Sequence, residues 1–218
     1  MSQSVDLDNL FTRELEKNDG SVLCINQSAV GDVGCVVWDA AISLTLYLET
    51  PDFQETPGSN KLRGKNVLEL GAGTGIVGIQ AACLGANSII TDLEDFVPLM
   101  ALNIRVNQAL ITGSATAREL RWGTDVTDYQ PPDYILIADC VYYEEAVGPL
   151  VQTITDLCDD HTVVICSYEE RTTGNKPELQ KKFFELVEKV FRVEEIPLER
   201  HDPVYRSEDI HIMKFIMK

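Results

Sequence analysis

The sequence lacks any uninterrupted apolar run long enough to cross a bilayer. Its longest candidate, GCVVWDAAISLTLYL at 34–48, is broken by Asp39, whereas a membrane helix needs roughly 18 or more consecutive apolar residues. The opening MSQSVDLDNL has neither the basic start nor the apolar stretch of a secretory leader, so a soluble chain that stays off membranes is expected. No CxxC pair occurs, and none of the six cysteines has a histidine at ligand spacing. Neither a zinc site nor a redox dithiol is therefore indicated, and no metal is expected. Cysteines scattered through apolar runs behave as small hydrophobes and fit a reducing compartment: the cytoplasm, with the nucleus open as well. Basic residues are scarce, 18 against 35 acidic ones, for a net charge of −17. Such a surface repels phosphate backbones, which argues against nucleic acid and for a basic partner, the plain alternative being that the acidity only maintains solubility. The three histidines, His161, His201 and His211, have no legible partner and read as structural or solvated.

What is present is an alternation of short β-branched runs with longer helical stretches. Strands are expected at 66–70, 88–93, 115–120, 134–140, 162–168, 192–198 and 210–217, a pattern of βα units feeding a largely parallel sheet. Between them, GIVGIQAACLGA ends in Gly85 as a C-terminal stop, and Pro98 and Pro177 belong in the first turns of two further helices. The segment 199–209 is too short for a crossover helix, so the last two strands should pair as an antiparallel hairpin at the sheet edge. Upstream, 20–38 reads as a hairpin turning at Gly31 and Asp32, followed by a helix capped by Asp39; the polar stretch 51–64 reads as a loop. The expected architecture is α/β: a Rossmann-like seven-stranded, mostly parallel sheet (65–218) with a C-terminal antiparallel hairpin, carrying an N-terminal extension of hairpin and helix (1–64).

LELGAGTGIVG (68–78) sets glycines where a strand meets a helix. There the backbone can pass close to a ligand and point amides at it from a helix N-terminus. By spacing alone GTGIVG satisfies the dinucleotide pattern GxGxxG, with Asp92 at the end of the next strand. Two features favour a cationic ligand over a pyrophosphate. Glu69 sits in the strand just before the glycines, and the terminal hairpin departs from the parallel dinucleotide fold.

Taken together, ELGAGTG, the acid Asp92 and seven strands ending in a reversed hairpin resemble the S-adenosylmethionine-dependent methyltransferases of seven-β-strand type. More narrowly, ADCVYYEE (138–145) is similar to the D-x-x-Y signature of a small protein-lysine methyltransferase family of that class, whose members modify chaperones, elongation factors and ATPases. The resemblance extends over nearly the whole chain, through EKNDGSVLCINQ (16–27), GDVGCVVWDAAISLTLYLETPDF (31–53), TDLED (91–95), WG (122–123) and YRSEDIHI (205–212). It implies methyl transfer from S-adenosylmethionine, without a metal, to a lysine ε-amine of a protein substrate. It also implies a monomeric enzyme acting on an AAA ATPase, with that ATPase's assembly cofactor as a further partner.

Carried onto this sequence, the resemblance has Gly71, Ala72 and Gly73 contacting the methionyl part of the cofactor, and Asp92 accepting from both ribose hydroxyls. Trp38 and Trp122 border the cofactor and Ala138 lines its pocket; a hydrophobic staple and core packing are the respective alternatives for the two tryptophans. Asp139 is the candidate for gripping the incoming ammonium, with helix capping as its alternative. Tyr142 would shape the lysine channel and Tyr143 would border cofactor or substrate. Tyr168 is a further candidate for the mouth, and Glu169, Glu170 and Arg171 for contacts to the substrate protein.

Overall fold

The structure, a computed structural model, describes residues 5–56 and 58–218. Its seven-stranded sheet is built from β5 (Asn66–Leu70), β6 (Asn87–Asp92), β7 (Ser114–Glu119), β8 (Tyr134–Ala138), β9 (Val163–Glu169), β10 (Phe191–Ile196) and β11 (Ile210–Met217), following β1 (Leu10–Glu16), β2 (Val22–Ser28), β3 (Gln54–Thr56) and β4 (Ser59–Asn60). The strand order is β10-β11-β9-β8-β5-β6-β7. β11 runs antiparallel to both neighbours and every other pairing in this sheet is parallel. From β5 the chain winds outward to β7 and then returns to β8 on the other side. The order therefore switches between β5 and β8, where a crevice opens beyond the carboxyl ends of the strands.

Both faces of the sheet are covered, which is why its central strands are apolar nearly throughout. Val67, Ile90, Leu136, Ile165 and Ile212 pack under α1 (Asp39–Tyr47), α2 (Ile76–Cys83) and α3 (Val97–Val106), together with Leu15, Leu23 and Ile25 of the N-terminal hairpin. Leu68, Leu70, Ile135, Ile137 and Phe215 pack under α4 (Glu144–Leu157) and α5 (Lys176–Val187). Helix α2 ends as expected at Gly85 (φ +98°), where Ala86 N donates to Ala81 O and Gly85 N to Ala82 O. This Schellman closure uses the left-handed backbone that glycine adopts without cost. Pro98 and Pro177 fall in the first turns of α3 and α5.

The extension differs from expectation. The hairpin pairs β1 with β2, Glu16 opposite Val22, and turns at 17–21 rather than at Gly31 and Asp32. The turn chemistry of Asp19 and Gly20 decides this: Asp19 accepts from the Ser21 amide and hydroxyl, and Gly20 takes φ +81°. Asp32 instead opens a 3-10 turn, Val33–Cys35, by accepting from Val33 N at 2.6 Å. Asp39 is not the cap of α1 but its first residue, the N-cap position falling to Trp38, whose indole is held by Val33 O at 2.8 Å. The stretch read as a loop carries a 3-10 turn at Pro51–Phe53 and the small β3–β4 ladder. Among the described residues no helix is long and apolar enough to cross a membrane.

Candidate active site

A cavity of about 470 Å³ opens at the switch point, within the range of roughly 300–1,000 Å³ usual for small-molecule sites. Trp38, Gly71, Ala72, Gly73, Asp92, Trp122, Ala138, Asp139, Tyr142 and Tyr143 all line it. These ten residues come from the N-terminal extension and from the ends of β5, β6, β7 and β8. The topology alone brings them together.

The floor is the glycine loop after β5. Gly71, Gly73 and Gly75 all adopt positive φ, +63°, +54° and +82°. A Cβ on Gly71 would lie 2.7 Å from the Trp122 ring and 2.8 Å from Cys140 Sγ; one on Gly73 would lie 2.5 Å from Gly34 O. Both the backbone angle and the space thus require glycine, and the loop is stitched down by Ala72 N donating to Thr91 O at 3.0 Å. Gly34 belongs to the 3-10 turn at Val33–Cys35, so the extension forms a wall of the cavity that no sequence spacing disclosed.

Asp92 accepts from Gly73 N and Leu93 N, each at 2.7 Å. A carboxylate has about four lone-pair positions, which leaves acceptor capacity facing the cavity. Burial pushes its pKa up to about 6, against the pull of the two amides. Glu69 also lines the cavity and is at the same time engaged by the backbone. It is 2% exposed, and its Oε2 accepts from Gly78 N at 2.8 Å, bracing the glycine loop against the first turns of α2. Burial raises its pKa to about 8, against the pull of the Gly78 amide, and so favours the protonated form.

β8 delivers Ala138 and then Asp139, the only non-glycine among the described residues at positive φ (+56°). A residue held there costs about 1–3 kcal/mol, and such strain concentrates at functional sites. Asp139 caps no helix: α4 starts at Glu144 with Tyr143 before it. The Asp139 carboxylate meets Arg171 Nη2 at 2.6 Å and is also approached by Glu169 N. Burial raises its pKa while the guanidinium pulls it back down. Arg171 also meets Glu169 at 2.9 Å, and its Cζ lies 5.1 Å from the Trp38 ring and 5.9 Å from the Tyr142 ring. Read from the sequence as a contact to the substrate protein, Arg171 is thus placed on the candidate catalytic carboxylate, a pairing between β8 and the loop after β9 that no local pattern could reveal.

Tyr142 and Tyr143 meet edge to face at 5.0 Å, and the Tyr143 hydroxyl donates to Asp32 at 3.0 Å, joining the loop after β8 to the extension. Trp38 is 37% exposed with its indole N–H bonded to Val33 O, so it stands at the rim and is no staple. Trp122 is packed under Gly71 and lines the cavity as well. Tyr168 lies outside this cavity, stacked on His211 at 5.2 Å. His211 does have a partner, Glu195 at 2.8 Å, and His201 is buried with Nε2 on Ile196 O at 3.0 Å. A glycine cradle closed to any Cβ, an acid with spare acceptor capacity and an aromatic, acidic rim form a site fit for an adenosine-bearing cation.

Comparisons with known proteins agree with that chemistry. The family described as lysine methyltransferase matches residues 17–190. Protein N-lysine methyltransferase METTL21A of Mus musculus is 36% identical over 185 residues, covering 84% of this chain and 77% of its own. Protein-lysine N-methyltransferase EFM6 of Saccharomyces cerevisiae is 32% identical over 213 residues, covering 86% and 83%. Among solved structures, the 16S rRNA methyltransferase RsmC of Thermus thermophilus, solved with AdoMet and guanosine, superimposes with a TM-score of 0.63 at 16% identity, over 96% of this chain and 51% of that one. A TehB-like SAM-dependent methyltransferase of Corynebacterium glutamicum gives 0.56 at 14% identity, over 85% and 90%. At those identities the structures speak for the fold alone.

Proposed function

The chain belongs to the lysine methyltransferase family, and on that premise we propose that its substrate is a lysine of an AAA ATPase of the valosin-containing protein type. The enzyme is an S-adenosylmethionine-dependent protein-lysine N-methyltransferase. The narrower reading rests on the likeness of GDVGCVVWDAAISLTLYLETPDF and ADCVYYEE to the lysine methyltransferase of valosin-containing protein. A net charge of −17 favours a partner surface with basic character around the target lysine. On the same reading the assembly cofactor of the ATPase is a second partner, the enzyme acts as a monomer, and the reaction is cytoplasmic, which six free cysteines favour.

The observation that carries the site assignment is the convergence of all ten sequence-derived residues on one cavity. When bound, S-adenosylmethionine supplies a methyl group on a sulfonium and leaves as S-adenosylhomocysteine. The backbone of Gly71, Ala72 and Gly73 holds the methionyl part, and Asp92, when ionised, accepts from the ribose hydroxyls. Trp38, Trp122, Ala138 and Tyr143 close the walls and exclude water. Asp139 orients the lysine Nζ and Tyr142 lines its approach. The amine must be neutral to attack along the line of the departing sulfur, whereas a free lysine has a pKa near ~10.4. Asp139 therefore holds the ammonium during entry, and the Nζ proton passes to water before transfer. Incubating the enzyme and labelled S-adenosylmethionine with a purified ATPase of this type tests the substrate: label on lysine is expected, and no label under conditions where other lysate proteins are labelled would refute it.

A further inference from the structure

We propose that Arg171 is the gate of the acceptor site: its guanidinium fills the place of the substrate ammonium and must leave before a lysine can enter. This rests on the reading of Asp139 as the ammonium's partner. Two cavities meet at Asp139. One is the large cavity already described. The other, about 20 Å³, is lined by Asp139 and Cys140 together with Glu169, Arg171, Lys176 and Tyr168, among others. Asp139 and Cys140 line both; Arg171 lines only the small one, yet it lies over the Trp38 and Tyr142 rings, which line only the large one. The guanidinium therefore spans the partition between them.

What surrounds that guanidinium is what an incoming lysine needs: carboxylates at 2.6 and 2.9 Å and the Trp38 ring at 5.1 Å, with the Tyr142 ring at 5.9 Å shared with Lys176, whose Nζ lies 3.4 Å from it. The Asp139 side chain is only 7% exposed. A carboxylate that deep cannot stand without a counter-charge while the site waits for substrate, because an unpaired buried charge is costly. Arg171 supplies the counter-charge in the free enzyme, and a lysine ammonium would exchange for it one for one, keeping the buried charge balanced during entry. Arg171 has somewhere to go. Glu169 is 33% exposed and can keep the guanidinium as it swings outward. The segment beyond, 172–175, is exposed and turns through Gly174 at φ +63°. The gate also serves specificity, since a stray lysine must displace an existing ion pair without the help of an extended partner surface.

The test is equilibrium binding of n-butylammonium, a lysine side-chain mimic, to the full chain saturated with S-adenosylhomocysteine, followed by NMR titration. Arg171→Ala and Arg171→Gln should each bind the probe at least about fivefold more tightly than wild type. Gln keeps a donor for Asp139 should Ala unfold, and thermal unfolding with S-adenosylhomocysteine confirms that each variant is folded. Unchanged or weaker probe binding in a folded Arg171 variant would overturn the gate. Asp139→Asn separates the two readings: if it weakens the probe while the Arg171 variants do not strengthen it, the ammonium site stands and the gate falls. If it leaves the probe unaffected, the ammonium site falls, and the gate with it.

Discussion

At the scale of single residues, the site is a set of carboxylates with different tasks set by their surroundings. Asp92 meets two amides and the cavity, and its pKa stands at about 6 because burial outweighs those donors. On the contact proposed above, only the ionised form would accept from both ribose hydroxyls, so affinity for S-adenosylhomocysteine should hold above pH 6 and fall by up to tenfold per unit below it. Asp92→Asn should cost roughly 1.5–3 kcal/mol of affinity at pH 7.5, by the usual worth of hydrogen bonds to a charged group, and should flatten that profile. Calorimetric titration of the nucleoside checks both. Asp139 has the opposite situation, a buried carboxylate neutralised by Arg171, and its removal should leave nucleoside binding nearly intact while ending transfer. The placing of Asp92, Asp139 and Tyr142 on one cavity was legible in the sequence because each sits at a strand end or in a short motif. Arg171 was not legible in this role, because its pairing with Asp139 spans 32 residues and depends on two loops meeting above the sheet.

At the scale of elements, the glycine loop and α2 work as one unit braced by Glu69. Gly73→Ala places a side chain at φ +54° and 2.5 Å from Gly34 O. The left-handed backbone alone costs about 1–2 kcal/mol, a fall in Tm of roughly 2–8 °C for a chain of this size, and nucleoside binding should weaken with it. Glu69 gives a signed pH effect. Its pKa rises from 4.5 to about 8 on burial, so its stabilising contribution is complete below about pH 4.5 and is lost as pH rises through 8. Glu69→Gln keeps an acceptor for Gly78 N and does not titrate, so thermal unfolding from pH 6 to 9 should move progressively in favour of the variant. The seven strands and the Gly85 stop were legible because period and turn chemistry are local. The hairpin at 10–28 was misplaced because β1 reads LFTRELE, with only Leu15 fully buried, so its pairing announces itself through the Asp19–Gly20 turn more than through alternation. Gly34 as a wall of the cavity depends on packing against Gly73 and has no local signature.

At the scale of the whole molecule, a net charge of −17 and a cavity rimmed by Trp38, Tyr143 and acids suit the locally basic substrate surface proposed above. Methylation of a protein substrate should slow as ionic strength rises from about 0.05 to 0.3 M, since screening shortens the reach of the acidic field. S-adenosylhomocysteine affinity should change far less, because its contacts lie inside the cavity. The measurement that tests the central claim most directly is site-resolved mass spectrometry of lysate proteins treated with S-adenosylmethionine and either wild-type enzyme or Asp139→Ala. The account predicts a methylated lysine that appears with wild type and is absent with Asp139→Ala, although both bind S-adenosylhomocysteine. Equal methylation by the two, or methyl groups on residues other than lysine, would contradict it.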